Sequence, residues 1–321
     1  MDPYQLGQVL LVAPEVSFAE LDRDLQATGF ERDREVGGGG PSPLVSGEPE
    51  LAGWTWRGGK PLITYTFNPV VKLRLLDVGY VPPALRGTIA ARVKLLEPAE
   101  VRPGLQSPDV LTRLRSLWAA AETDRLDLME TAKKMREDPD GVVAKAARDV
   151  AAKLQRAFET RVGVLANLRL LAESARGFLH RLNERPYVAG LAPRRSDIPL
   201  LFDEDIAGPV ADSVIAEWER PPVADPGEAY PELKITAATA GLLRFPSELS
   251  DPFPRGYRDI APWMVPNRVW MTWAWSNASG GMVRYDGLVW MDDHWAWLPR
   301  AFEYVGRVLE AKLGPIPETL H

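Results

Sequence analysis

The side chains able to do chemistry fall in three places. Asp292-Asp293-His294 sets two carboxylates beside one of the chain's 3 histidines. An aspartate bonded to an imidazole can orient a general base or join a divalent metal site. Neighbouring residues on a strand or turn project in different directions, and no third ligand is evident, so the plainer reading is a two-carboxylate turn followed by a strand residue. Phe202-Asp203-Glu204-Asp205, after Arg194-Arg195, is a denser acidic run. It would hold Ca²⁺ or Mg²⁺ only if further oxygen ligands converged on Asp203, Glu204 and Asp205, and neither EF-hand spacing nor the required glycine is present. It reads as a solvated loop leading to a helix that starts near Pro209. Third, seven of the 11 tryptophans lie between Trp263 and Trp297. Exposed rings on a strand can stack sugars, bases or methylated cations. Alternation assigns most of these rings inward and leaves Trp270 and Tyr285 as the candidate binding surface.

The remaining composition mainly excludes. His180 lies within a helix and His321 ends the chain; no Ser/His/Asp set or G-x-S-x-G elbow appears. Gly58-Gly59-Lys60 lacks the earlier glycine of a phosphate loop and is followed by Pro61, so it predicts a hairpin turn. The absence of cysteine removes disulfides and thiolate chemistry. A net charge of −6 argues against nucleic-acid or anionic-membrane affinity. No apolar stretch approaches the roughly 18 residues that span a bilayer, and the N-terminus lacks the basic and apolar regions of a signal peptide. Asn277-Ala278-Ser279 reads as a polar turn. The expectation is a soluble, cytoplasmic protein with no cofactor.

The positioning elements follow from periodicity. Gln8–Ala13 predicts a strand. Ser17 with Glu20 predicts a capping box opening a helix whose apolar stripe is Phe18, Leu21, Leu25 and Phe30, ended by Gly29. Gly37–Pro43 predicts a loop, Leu51–Arg57, Leu62–Phe67 and Val70–Val78 strands, and Pro82–Leu96 a helix. From Ser107 the period becomes helical, with stripes over Val110–Ala121, Leu126–Met135 and Val142–Leu154. Ser107-Pro108-Asp109-Val110 and Asp138-Pro139-Asp140-Gly141-Val142-Val143 recur 31 residues apart. With its acidic turn, Val pair and spaced small residues, the stretch from Asp138 to Leu154 resembles the second half of a HEAT-type repeat. The likeness covers about Ser107 to Leu154, roughly one and a half units. It implies non-catalytic stacking helices that bind other proteins along a curved surface, and it transfers no catalytic residue. Such a count is too low for a free-standing solenoid, and an ordinary helical bundle fits as well.

Helix continues toward Pro186. Prolines then recur to Pro266, predicting an extended connection interrupted by a helix at about Pro209–Trp218; Ile235–Leu243 fits strand or helix. Val269–Trp275, Met282–Trp290 and His294–Leu298 predict a three-stranded meander with a bulge at Asp286-Gly287, and Arg300–Leu313 a closing helix. The predicted class is α+β in four parts: a small α+β domain (1–98), a HEAT-like helical segment (99–185), a Pro-rich connecting segment (186–266) and a Trp-rich β module with its helix (267–321). The expected function is protein–protein interaction, as an adaptor, inhibitor or immunity-type protein. One alternative is a hydrolase or transferase using the carboxylates and His294 between the β module and the Pro-rich segment. The other is a carbohydrate- or peptide-binding module using Trp270 and Tyr285.

Overall fold

Short runs rich in Leu, Val, Thr and aromatic residues build most of the first sheet. The computed structural model describes residues 9–36, 48–56, 61–224 and 230–314. The predicted Gly37–Pro43 loop, the Gly58-Gly59-Lys60 turn, Gln8 and His321 lie outside the described residues. Val9–Val12 (β1), Phe30–Asp33 (β2), Leu51–Trp56 (β3), Pro61–Asn68 (β4) and Leu73–Asp77 (β5) form a five-stranded sheet in the order β1-β5-β4-β3-β2. Every pairing is antiparallel. Phe18–Ala27 (α1) opens on the predicted capping box: the Glu20 N–H donates to Ser17 Oγ and the Ser17 N–H to Glu20 Oε2 at 2.9 Å. Gly29, at φ +92°, ends the helix. Phe30 is therefore the first residue of β2, a strand too short to register as alternation.

Both faces of this sheet are covered. One packs Trp54, Ile63, Tyr65 and Leu76 against Leu21 and Leu25 of α1 and against Leu85 and Ile89 of Pro83–Arg92 (α2). The other brings Leu11 and Leu73 into one core with the helices Pro98–Gly104 (α3), Val110–Glu122 (α4), Met129–Lys134 (α5) and the start of Gly141–Leu179 (α6). A division at residue 98 would split that core. The chain instead separates into two compact units, which divide within α6 between Arg161 and Val162. In the first unit a buried ion pair ties the sheet to the preceding loop. Arg74 Nε and Nη2 donate to the two oxygens of Glu48 at 2.6 and 2.8 Å, and the Tyr65 hydroxyl donates to Glu48 Oε1 at 2.5 Å.

The second unit is organised by its tryptophans. Glu232–Thr239 (β6), Val269–Ser276 (β7), Met282–Trp290 (β8) and Trp295–Trp297 (β9) form a four-stranded antiparallel sheet in sequence order. The segment fitting strand or helix is both in turn: β6 ends at Thr239, whose side chain caps Ala240–Leu243 (α10). The bulge at Asp286-Gly287 is present. Gly287 sits at φ +87°, where a Cβ would lie 1.9 Å from the Leu298 carbonyl oxygen, so only glycine fits.

The Pro-rich segment does not run extended over a surface. It carries the helices Arg185–Ala189 (α7), Ile198–Leu201 (α8), Glu204–Glu217 (α9) and Gly256–Ile260 (α11), together with β6 and α10. Ile198, Phe202, Ile206, Val210, Tyr257 and Ile260 share one core with Trp270, Trp273 and Trp297, and with the closing helix Ala301–Leu313 (α12). Residues 186–266 and 267–321, expected as separate parts, thus contribute to a single unit. Prolines stand in the first turn of α7 and α8, and Pro209 sits inside α9, without preventing burial.

Candidate functional site

The turn between β8 and β9 presents Asp292, Asp293 and His294. The Met291 N–H donates to the His294 carbonyl and closes it, and Asp292 takes the left-handed conformation that aspartate tolerates (φ +74°). Asp292 turns to Arg268: Nη1 donates to its Oδ2 at 2.7 Å, while Arg268 Nε donates to the Leu200 carbonyl at 3.1 Å. His294 turns the other way. Its Nδ1 lies 2.5 Å from Asp293 Oδ1, and its Nε2 lies 3.2 Å from Asp197 Oδ2. Asp197 is buried just before α8 and also accepts the Arg194 N–H at 2.7 Å. The Arg194 guanidinium stands 3.9 Å from Asp293. The Asp293 carboxyl is held below its ordinary range, first by the hydrogen bond to His294 and further by the charges of His294 and Arg194.

The Pro-rich segment thus does deliver a carboxylate to His294, and it is Asp197. A general base needs one ring nitrogen open to a substrate proton. In a Ser-His-Asp arrangement one nitrogen meets the carboxylate and the other the nucleophile. Here both nitrogens face carboxylates, and the ring works as a clamp between two loops. Asp197 gave no sign in the sequence, because its role depends on a residue 97 positions away.

The acidic run is a helix start, not a loop. Asp203 caps α9, its side chain accepting the Asp205 N–H, and Glu204 and Asp205 occupy the first turn at the positive end of the helix dipole. The helix begins five residues before Pro209. Proline has no N–H, so the Asp205 carbonyl lacks its usual helical donor. Lys312 of α12 supplies one, its Nζ donating to that carbonyl at 2.9 Å and lying 3.4 Å from the Asp205 carboxylate. Among the described residues no cluster of three acidic or histidine side chains has a metal-holding arrangement.

Trp270 is not on a surface. It is fully buried, with the rings of Phe202 and Tyr257 each 5.8 Å away, because α8 and α11 cover the face of β7 that alternation had left open. Tyr285 is half-buried and stacks on Trp273 at 5.7 Å, so it and Trp270 line no common groove. The partly exposed rings form a different row, which the sequence did not single out: Trp290 on Trp295 (5.0 Å), Trp295 on Phe178 (5.3 Å), and Phe178 toward Tyr187.

The first unit holds an open cleft of about 300 Å³. Its floor is the sheet: Leu73, Leu75 and Asp77 at alternate positions of β5, with Thr66 and Asn68 of β4 and Val9 of β1 beside them. Its wall is Trp118 and Glu122, one turn apart on α4. The strand spacing was legible in the sequence, but that α4 stands over this face was not.

No protein-family model, curated protein or solved structure matches the chain. No helix among the described residues is long and apolar enough to cross a membrane.

Proposed function

We propose that the protein is a non-catalytic binding protein that engages another protein through the outer ridge of α6 in the second unit. The observation that carries this reading is the row Val162, Ala166 and Leu170, spaced four residues apart and exposed, with Val162 at 50% and Leu170 at 70% of full exposure. The opposite side of the same helix buries Leu168, Ala172, Ala175 and Leu179 in the core. An i, i+4, i+8 apolar row is the ridge that a partner helix or groove accepts. Burying it would remove apolar surface from water at about 25 cal/mol per Å². The pairing of His294, Asp292, Asp203 and Asp205 with internal partners supports a non-catalytic role.

The HEAT-type likeness belongs to the same reading. Asp109 and Asp140, 31 residues apart, each cap a helix: the Thr112 N–H donates to Asp109 at 2.8 Å and the Val142 N–H to Asp140 at 2.9 Å. Both caps fall at the same place in the recurring motif. Leu117, Ala121, Ala132, Val143, Ala147, Val150 and Leu154 then share one core, as stacked repeat helices would.

The test is affinity capture from a lysate of the native host with the full chain as bait, alongside a Val162→Asp/Leu170→Asp variant. Both sites are exposed, so the variant is expected to keep its circular dichroism and melting midpoint. A stoichiometric partner recovered by the wild type and lost by the variant is the expected result. Equal recovery by both chains would remove α6 as the docking surface, and no recovery by either would end the protein-binding reading.

A further inference from the structure

The cleft of the first unit suits a ligand, and we propose that it binds a neutral sugar. Its volume of about 300 Å³ stands at the lower end of the ~300–1,000 Å³ typical of small-molecule sites. Trp118 is half-buried, anchored on one side in the core around Leu117, and it lines the cleft opposite Leu75. A ring held in this way offers a flat apolar surface to the C–H face of a pyranose. Around it stand hydrogen-bonding groups of both kinds. Thr66 supplies an exposed hydroxyl. Asn68, whose Oδ1 already accepts the Val70 and Val71 N–H groups, supplies its NH₂ as donor. Asp77 and Glu122 supply carboxylate oxygens, each group having about four acceptor positions. A mixed donor and acceptor set beside one aromatic wall matches a polyol.

The same residues disfavour charged ligands. Two carboxylates repel an anion. Glu122 already holds Lys153 at 2.8 Å, which leaves a cation the single Asp77 carboxylate, one oxygen of which accepts the Gly79 N–H. Sugar hydroxyls require no net charge, and they can share oxygens that also serve other donors. The cleft belongs to the first unit and the Val162–Leu170 ridge to the second, and the test of the cleft is independent of that proposal.

Saturation-transfer NMR on the full chain, titrated separately with cellobiose and maltose, tests the inference, with methylammonium chloride as the cationic probe. Saturable binding of at least one disaccharide is expected, weakened about tenfold in Trp118→Ala and several-fold in Thr66→Val. Thr66 is exposed on its strand and valine keeps the β-branched shape, so this second variant decides if Trp118→Ala fails to fold. Saturation by neither sugar, affinity unchanged in the variants, or binding of methylammonium alone would each overturn the proposal.

Discussion

Each unit buries a carboxylate and gives it a tyrosine hydroxyl, but only one sets a cation in contact with it. In the first unit Glu48 receives the Tyr65 hydroxyl together with both arms of Arg74. In the second, Asp286 Oδ1 accepts the Tyr257 hydroxyl at 2.7 Å and the Arg300 backbone N–H at 2.9 Å, with no guanidinium or ammonium in contact among the described residues. The Asp286 carboxyl is pushed above its ordinary range, chiefly by burial. The two hydrogen bonds, which favour the charged form, act against that push without overcoming it. Burial likewise drives the Tyr257 hydroxyl well above its ordinary value, so it stays a donor. A buried charge met by a bidentate guanidinium becomes a strut. One met only by neutral donors becomes a group whose charge opposes folding.

The contrast is broken most severely by removing the countercharge. Arg74→Met leaves Glu48 buried without a cation and is expected to destabilise the first unit by about 3–5 kcal/mol. Urea denaturation should show its transition moving to lower denaturant, and Arg74→Met/Glu48→Gln should recover part of the loss. In the second unit the hydrogen bonds are what matter. Asp286→Ala strands the Tyr257 hydroxyl and the Arg300 N–H at about 1–3 kcal/mol each. Asp286→Asn keeps the acceptor and should be neutral or stabilising at pH 7, a difference that the two melting curves would reveal.

Protonation sharpens the same comparison. Because the folded Asp286 carboxyl has the higher pKa, the native state binds more protons than the unfolded chain between about 3.8 and that raised value. Stability of the second unit is therefore expected to fall as pH rises through this window. Urea midpoints measured from acid to neutral pH should show the fall in the wild type, and Asp286→Asn should remove it. The smallest effect belongs to an exposed pair. Lys312→Met is expected to cost about 0.5–1 kcal/mol, through a half-exposed ion pair and the Asp205 carbonyl left to water. A loss above that range would mean that Lys312 holds α12 to α9 more strongly than its exposure allows.

Local signals are legible wherever the chain itself enforces them. The Ser17–Glu20 box, the Gly29 stop, the three helical stripes, the bulge at Gly287 and the alternating strands of the tryptophan region all rest on neighbours within a few residues. Local spacing says less where distant segments decide. Alternation puts Trp270 on the outward face, because it shows that a face exists but not what covers it. Asp203–Asp205 reads as a loop in the sequence because Pro209 suggests the helix start, whereas α9 holds proline inside and Lys312 satisfies the orphaned carbonyl.

The sequence by itself determined the α+β class, most of the strands and helices, and the absence of thiol chemistry, since these follow from composition and short-range periodicity. Only the tertiary structure decided that residues 186–266 belong to a core, that His294 is clamped between Asp197 and Asp293, and that Trp118 stands over β5. Each of these joins residues tens of positions apart. Burial and pairing are properties of the space around a side chain, and no local spacing encodes what will occupy that space.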